Sequence, residues 1–286
     1  MKKYTDGTAE QVASRVLFKR KLLLGLAYGV TLLIIISNLI SFAFIASGYA
    51  TMPETKYYLI VIFELLLIFL FVRVGNVAMR VNLSKISQCQ CDYRKSAQIY
   101  EILTQKLNNA KDKNYYRLQL FICYMALGNY NGAFDVMNRI NPKKLDSSMQ
   151  YFFYENWESF YFRVKDYEKF EQAHKNTMIF RQTFKVSRNM SEVVVYMDKL
   201  YDARKSSIDN KYEVAKALYI EVIDYFKRYN GTAMNRVIAT YSYELGVAAL
   251  NASDKNEAYY RLRNAIEFGK EGIVEHESAV LLNQII

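Results

Sequence analysis

The feature that most constrains this chain is a long apolar run close to its N-terminus. From Leu22 to Pro53 the sequence contains no charged residue. An α-helix rises 1.5 Å per residue, so about 20 apolar residues cross the hydrocarbon core of a bilayer. The run exceeds that length, and it also exceeds the apolar stretch of about 7–15 residues in a cleavable signal peptide. It therefore predicts a membrane-spanning helix.

A second apolar run extends from Tyr57 to Val74, after a short connection that contains Glu54 and Lys56. Two spans joined so closely predict a transmembrane helical hairpin. We therefore expect three regions: a basic N-terminal segment at residues 1–21, the hairpin at residues 22–81 and a cytoplasmic helical domain at residues 82–286.

The charges beside the two spans predict the orientation of the hairpin. Six basic and two acidic side chains precede the first span, and five basic and one acidic side chain follow the second within residues 73–95. Cytoplasmic flanks collect Lys and Arg, so both termini should lie in the cytoplasm. Frequent Lys, Asn, Ile and Tyr are typical of an AT-rich genome, which favours a bacterial plasma membrane.

The formal net charge of +10 is concentrated in these flanks and does not require nucleic acid as a partner. Basic residues next to a membrane are attracted to anionic headgroups. The positions expected to contact such lipids are Lys19, Arg20, Lys21, Arg73 and Arg80.

Three polar residues within the predicted spans need a partner. Glu64 lies in the second span, at a depth comparable to Asn38 and Ser41 in the first. A carboxyl group in hydrocarbon is costly, so it faces a hydrogen-bonding partner or water. A protonated Glu64 could bond Asn38 within the hairpin, dock onto another membrane subunit, or belong to an ion pathway formed by oligomers.

The first span also has glycines at a spacing of four, Gly25 and Gly29. Small residues at this spacing let a second helix approach closely. They therefore predict either self-association of the chain or packing against the second span.

The rest of the chain has the composition of a helical domain. The whole sequence contains only 2 prolines and 11 glycines, fewer than architectures with many turns need. Its three cysteines exclude a disulfide scaffold. Cys89 and Cys91 are expected to be unreacted thiols, with acylation next to the membrane as the alternative.

One segment after residue 82, from Leu118 to Pro142, has a distinctive pattern. It combines large apolar residues on a first helix, a turn glycine and a small residue on a second helix, at Leu120, Phe121, Tyr124, Gly128 and Ala133. This segment resembles a tetratricopeptide repeat (TPR), in which the small residue at position 20 lets two helices pack closely.

Further copies of the pattern are degenerate. The residues at position 20 are expected to be Ala97, Ala133, Phe170, Ala215 and Ala258. Phe170 replaces the usual small residue and predicts a wider helix pair. The unequal spacing of these five residues leaves the resemblance strong at two repeats and loose elsewhere.

The resemblance implies an all-α fold, a TPR-like α-solenoid of about four to five helix pairs after the transmembrane hairpin, capped by a helix at residues 273–286. Stacked pairs leave a curved surface lined by the first helix of each pair. By resemblance, the residues facing this groove are Tyr115, Leu118, Ile122, Met125 and Ala126 in one repeat, and Phe152, Glu155, Ser159, Phe162 and Arg163 in the next.

These groove residues lack the Lys and Asn with which chaperone-binding relatives clamp a carboxylate, so an apolar peptide or helix is the expected ligand. The alternative is that several of them pack against a neighbouring repeat. Motifs for phosphate binding, zinc binding or an acyl-transfer nucleophile are absent from the sequence. We therefore expect no enzyme activity, cofactor or metal.

Two functions are compatible with these features. The chain is predicted to be a membrane-anchored scaffold or adaptor that recruits a protein or peptide to the cytoplasmic face of the membrane. The alternative is an accessory or regulatory subunit of a membrane transport, secretion or envelope-synthesis complex that docks through its hairpin, on other integral subunits or on itself. Glu64 and the groove residues distinguish the two.

Overall fold

A computed structural model describes residues 5–47, 54–183, 188–229 and 234–285. Within these ranges the chain forms α-helices, one short 3₁₀ helix at Pro142–Lys144, and no strand. The helices are α1 (Ala9–Ala46), α2 (Glu54–Gln88), α3 (Tyr93–Lys106), α4 (Ala110–Ala126), α5 (Tyr130–Asn138), α6 (Ser147–Arg163), α7 (Tyr167–Thr183), α8 (Arg188–Ile208), α9 (Tyr212–Tyr229), α10 (Asn235–Asn251), α11 (Lys255–Gly269) and α12 (Ile273–Ile285). The predicted all-α fold is confirmed.

The chain divides into two compact units, Met1–Leu83 and Ser84–Ile286. The first unit contains α1 and most of α2. Thr8 caps α1 with a capping box, because its hydroxyl accepts from the backbone N–H of Gln11 while the Gln11 side chain accepts from the backbone N–H of Thr8. The basic residues at positions 19–21 therefore lie on α1 itself rather than on a separate segment.

Both long helices carry the apolar runs that the sequence shows. α1 has 38 residues and α2 has 35, so each is more than about 50 Å long. Each contains an apolar window of 18 residues in which no residue is buried. By length and composition, both helices can cross a membrane.

The two helices approach each other at a glycine that the sequence pattern did not single out. A Cβ atom placed on Gly75 of α2 would lie 2.8 Å from Leu23 Cδ1 of α1. At Gly25 and Gly29 the same atom would meet nothing within 4 Å. The prediction that these two glycines pack against the second span is therefore wrong, because their face of α1 is open. Self-association through them stays a prediction.

The second unit is a stack of helix pairs. The pairs are α4–α5, α6–α7, α8–α9 and α10–α11, with α3 before them and α12 after them. Four pairs and a terminal helix correspond to the expected solenoid. The position-20 residues carry the close packing, since Ala133, Phe170, Ala215 and Ala258 are each 0% exposed and Ala97 is 4% exposed.

The same backbone turn joins the two helices of every pair. One residue in each turn has positive φ: Gly128, Lys165, Asn210 and Ser253. The next residue donates its N–H to a carbonyl five residues earlier, as Asn129 does to Tyr124 and Asp254 does to Ala249. This is a Schellman-type helix end, and it reverses the chain identically in all four repeats although only one turn uses glycine.

The first helices of the pairs face inward. α4, α6, α8 and α10 surround a common interior space together with α12. The C-terminal helix also contacts the first repeat, because a Cβ atom on Gly128 would lie 3.1 Å from Ile273 Cγ1. A methyl group at Gly128 would therefore crowd this contact in addition to straining the turn.

Candidate functional site

The interior space is a cavity of about 100 Å³ lined by residues of α4, α6, α8, α10 and α12. Its walls are partly apolar, with Ile122 and Met125 on one side and Val274 on the other. Its charged lining residues are Glu155, Arg163, Arg204, Arg236 and Glu244. Charges inside a helical solenoid are costly unless they are paired, so their partners decide what the cavity can do.

Arg204 of α8 and Glu244 of α10 form a buried bidentate ion pair. Arg204 Nε donates to Glu244 Oε2 and Arg204 Nη2 donates to Glu244 Oε1, both at 3.0 Å. The two residues are 3% and 7% exposed. Arg204 Nη1 also donates to Ser159 Oγ at 2.9 Å, so this guanidinium links three of the inner helices.

Arg163, at the end of α6, connects the second repeat to the C-terminal helix. Its guanidinium forms an ion pair with Glu277 of α12 and donates from Nε to Tyr130 Oη at 3.1 Å. It also lies over the ring of Tyr243, 4.7 Å from the centroid. These contacts fix α12 against the inner face.

Glu155 lies one turn before Ser159 on α6 and faces the cavity. Ser159 Oγ donates to Glu155 Oε1 at 3.3 Å. The pKa of Glu155 is raised to about 7, chiefly by burial; Glu158 acts in the same direction, whereas Arg204, Arg236 and the Ser159 hydrogen bond oppose the rise. The carboxyl group therefore changes charge close to neutral pH.

Arg236 lies near the start of α10 and has an uncharged partner. Its Nε donates to Gln88 Oε1 at 2.8 Å. The neighbouring Asn235 donates to the carbonyl oxygen of Cys89 at 2.8 Å. The first turn of α10 is thus fixed to the segment that precedes α3.

Apart from Phe162, the predicted groove residues fall into two groups. Ile122, Met125, Ala126, Glu155, Ser159 and Arg163 all line the cavity. Tyr115 and Leu118 are 9% and 1% exposed, and Phe152 packs against two core clusters. These three residues therefore pack within the fold, as the alternative interpretation of the groove expected.

Phe162 lies in a second, more open space that we call the α6–α10 cleft. It has a volume of about 190 Å³ and lies at the C-terminal ends of α6, α8 and α10. Tyr167, Tyr243 and Val247 also line it. Tyr167 is 40% exposed, so this cleft offers accessible apolar surface.

Sequence reasoning missed Arg204, Arg236 and Glu244. They have no local motif, and Arg204 and Glu244 lie 40 positions apart in the chain. The one sequence feature that could have identified them is a charged residue on the otherwise apolar face of a predicted first helix. Glu244 is such a residue, since it directly precedes the Leu245–Gly246 pair that carries the repeat pattern.

The polar residues of the two apolar helices differ in their hydrogen bonds and in their exposure. The Asn38 side chain donates to the carbonyl oxygen of Ile34 on its own helix at 2.8 Å. Ser41 and Glu64 are half-buried. Among the basic flanking residues, Lys19, Lys21 and Arg73 are exposed and Arg20 and Arg80 are half-buried. Their roles in contacting lipid or another subunit stay predictions.

The two cysteines before α3 differ in exposure. Cys89 is half-buried and Cys91 is 1% exposed. Cys91 Sγ donates to the carbonyl oxygen of Phe268 at 3.2 Å, and burial raises the pKa of its thiol. Because the thiolate is the reactive form, this environment makes Cys91 unreactive.

A family model described as the SusR N-terminal TPR domain matches residues 96–286. No curated protein matches the chain. The matched region begins within α3 and contains all four helix pairs, the cavity and the α6–α10 cleft. The chain therefore belongs to the SusR N-terminal TPR domain family, and its repeats have the helical fold that TPR proteins use to bind other proteins.

Proposed function

We propose that this protein is a membrane-anchored TPR scaffold that recruits a protein partner to the cytoplasmic face of the membrane. One observation carries the proposal: the chain joins a protein-interaction repeat domain to two helices whose apolar windows contain no buried residue. Soluble proteins rarely expose so large a contiguous apolar surface. A lipid bilayer is the environment that covers it.

The charges beside the hairpin support a cytoplasmic location for the repeats. Lys19 and Lys21 are exposed near the start of the apolar run of α1, and Arg73 is exposed near the end of the run of α2. Basic side chains at these positions extend to anionic headgroups. The hairpin loop would then lie on the opposite side of the membrane.

This topology makes a first prediction for cysteine labelling. With a membrane-impermeant maleimide, Thr51→Cys in the predicted loop should be labelled in intact cells. Lys255→Cys at the start of α11 should be labelled only after the cells are opened. The unmodified chain is the control for its own cysteines. Labelling of Lys255→Cys in intact cells would contradict the cytoplasmic location.

We place the partner-binding surface at the α6–α10 cleft. Of the predicted groove residues, Phe162 and Arg163 line this accessible space. The central cavity of about 100 Å³ is too small for a peptide helix, which is about 10–12 Å across with its side chains. The cleft is bordered by aromatic residues of four helices, and buried aromatic side chains dominate the energy of protein interfaces.

Partner recovery gives the second prediction. Tagged full-length protein would be crosslinked in its native cell, purified in mild detergent and its partners quantified by mass spectrometry. The double variant Tyr167→Ala with Val247→Ser should reduce partner recovery at least about tenfold, because interface aromatics carry much of the binding energy. Tyr260→Ala, which removes a 54% exposed tyrosine outside the cleft, should leave recovery unchanged.

The alternative function makes the opposite prediction in the same experiment. Glu64 is a half-buried carboxyl group on the apolar helix α2, and such groups mark contacts between membrane subunits. If the hairpin docks on a membrane complex, Glu64→Leu should abolish recovery while the cleft variant keeps it. That outcome would replace the scaffold proposal with the accessory-subunit function.

A further inference from the structure

The charges around the central cavity do not all have partners of opposite sign. Arg204 is paired with Glu244, and Arg163 is paired with Glu277. These two pairs account for three of the five charged lining residues, because Glu277 approaches from outside the lining. The remaining two lining residues have opposite signs.

Those two residues are Glu155 of α6 and Arg236 of α10. Across the described residues, neither forms an ion pair; Glu155 accepts from the Ser159 hydroxyl, and Arg236 donates to the amide oxygen of Gln88. Both face the same cavity, and each charge acts on the other, since Arg236 opposes the rise in the pKa of Glu155. The cavity thus presents one acceptor and one donor charge across an unfilled space.

We propose that this cavity binds a small zwitterion of the α-amino acid type, with its ammonium group at Glu155 and its carboxylate at Arg236. One such ligand supplies both missing partners at once. A carboxylate and a guanidinium form charge-assisted, often bidentate hydrogen bonds. A net anion or a net cation would leave one of these two half-buried charges without a partner of opposite sign, which is costly in proportion to its burial.

The size and walls of the cavity limit the ligand. A volume of about 100 Å³ is about two thirds of an apolar cavity of about 150 Å³ that holds benzene, so only the smallest amino acids come near its size. Ile122, Met125 and Val274 provide apolar walls for a short side chain. Glycine is the amino acid nearest to these limits, followed by alanine and serine.

The site is expected to respond to pH through Glu155. The charged groups that influence its carboxyl are Glu158 on α6, Arg204 on α8 and Arg236 on α10, and Glu244 of α10 lines the same cavity. An ammonium group favours the ionised carboxyl, so ligand binding should release a proton near neutrality. Affinity should therefore rise between about pH 6 and about pH 8.

Binding can be measured on the full chain in detergent. Glycine, L-alanine and L-serine at about 10 mM should raise the thermal midpoint, because a ligand that binds only the folded state stabilises it. Acetate and methylammonium, each carrying one of the two charges, should have little effect at the same concentration. Isothermal titration in two buffers of different ionisation enthalpy should detect the released proton.

Two variants test the assigned contacts. Glu155→Gln, which keeps the side-chain shape, and Arg236→Gln should each weaken binding at least about tenfold, since a hydrogen bond to a charged group contributes about 1.5–3 kcal/mol. If Arg236→Gln folds poorly, Arg236→Lys is measured in its place. This variant keeps the charge and should keep part of the affinity. Glu257→Gln, outside the cavity, is the matched control. The proposal is overturned if none of the three amino acids raises the midpoint, or if Glu155→Gln binds as tightly as the unmodified chain.

Discussion

Arg204→Ala is expected to lower the free energy of unfolding of the repeat domain by about 3–5 kcal/mol. The substitution leaves Glu244, which is 7% exposed, as a buried carboxylate without its bidentate partner. It also removes the hydrogen bond from Arg204 to Ser159. Urea unfolding of the full chain in detergent, followed by far-UV circular dichroism, measures the change.

The reason for so large an effect is desolvation rather than attraction. Burying two charges costs desolvation energy, and their mutual attraction offsets this cost only while both charges are present. Removing one partner leaves the cost of the other. Replacing both with apolar residues of similar volume, as in Arg204→Met with Glu244→Leu, should therefore recover most of the lost stability, although Ser159 loses the hydrogen bond that it accepts from Arg204.

A more accessible pair of the same composition provides the control. Arg261 and Glu257 are four residues apart on α11, and Arg261 Nε donates to Glu257 Oε1 at 2.8 Å. Arg261→Ala should cost only about 0.5–1 kcal/mol, as is usual for an i,i+4 pair that keeps contact with water, since the side chains of Arg261 and Glu257 are 12% and 27% exposed. If Arg204→Ala costs no more than Arg261→Ala, the Arg204–Glu244 pair does not hold the inner helices together.

The parts of the fold that the sequence predicts are those with a local cause. Apolar runs without charges predict α1 and α2, because the pattern and the length of a helix are both read along the chain. The small residues Ala133, Ala215 and Ala258 predict close helix pairs for the same reason, since each contacts the helix directly preceding it. All three are 0% exposed in the structure.

The parts that could not be predicted depend on residues far apart in the chain. Gly128 marks its turn in the sequence by being glycine, whereas Lys165, Asn210 and Ser253 adopt the same positive φ without glycine. A positive φ is slightly unfavourable for residues other than glycine, and tertiary packing offsets this cost. The turn geometry is thus a property of the stacked repeats rather than of four local motifs.

The inner face was predicted as an open groove because the resemblance supplies residue positions but no curvature. In the structure, α12 reaches the first repeat, where Ile273 packs against Gly128, and Glu277 pairs with Arg163 of the second. The groove is thereby reduced to a cavity and a cleft.

For Phe170, the repeat pattern and the structure lead to opposite expectations about substitution by alanine. In the repeat pattern a small residue occupies its position, so by resemblance alone Phe170→Ala restores the usual close pair. In the structure Phe170 is 0% exposed. Its ring lies 5.7 Å from that of Phe162 and stacks at 5.2 Å on that of Tyr201, measured between centroids. The α6–α7 pair is built around this side chain.

We therefore expect Phe170→Ala to destabilise the repeat domain by about 3–5 kcal/mol, the usual cost of removing a buried phenylalanine. The measurement is the same urea unfolding of the full chain. Tyr167→Ala, on the same helix but 40% exposed, should cost less than about 1 kcal/mol. Unchanged or increased stability of Phe170→Ala would mean that α6 and α7 can close together on an alanine. A loss of unfolding free energy of the expected size would show instead that Phe170 fills a space between α6, α7 and α8 that an alanine leaves empty. The degenerate repeat would then have its own way of packing and would not be a weakened copy of the regular repeat.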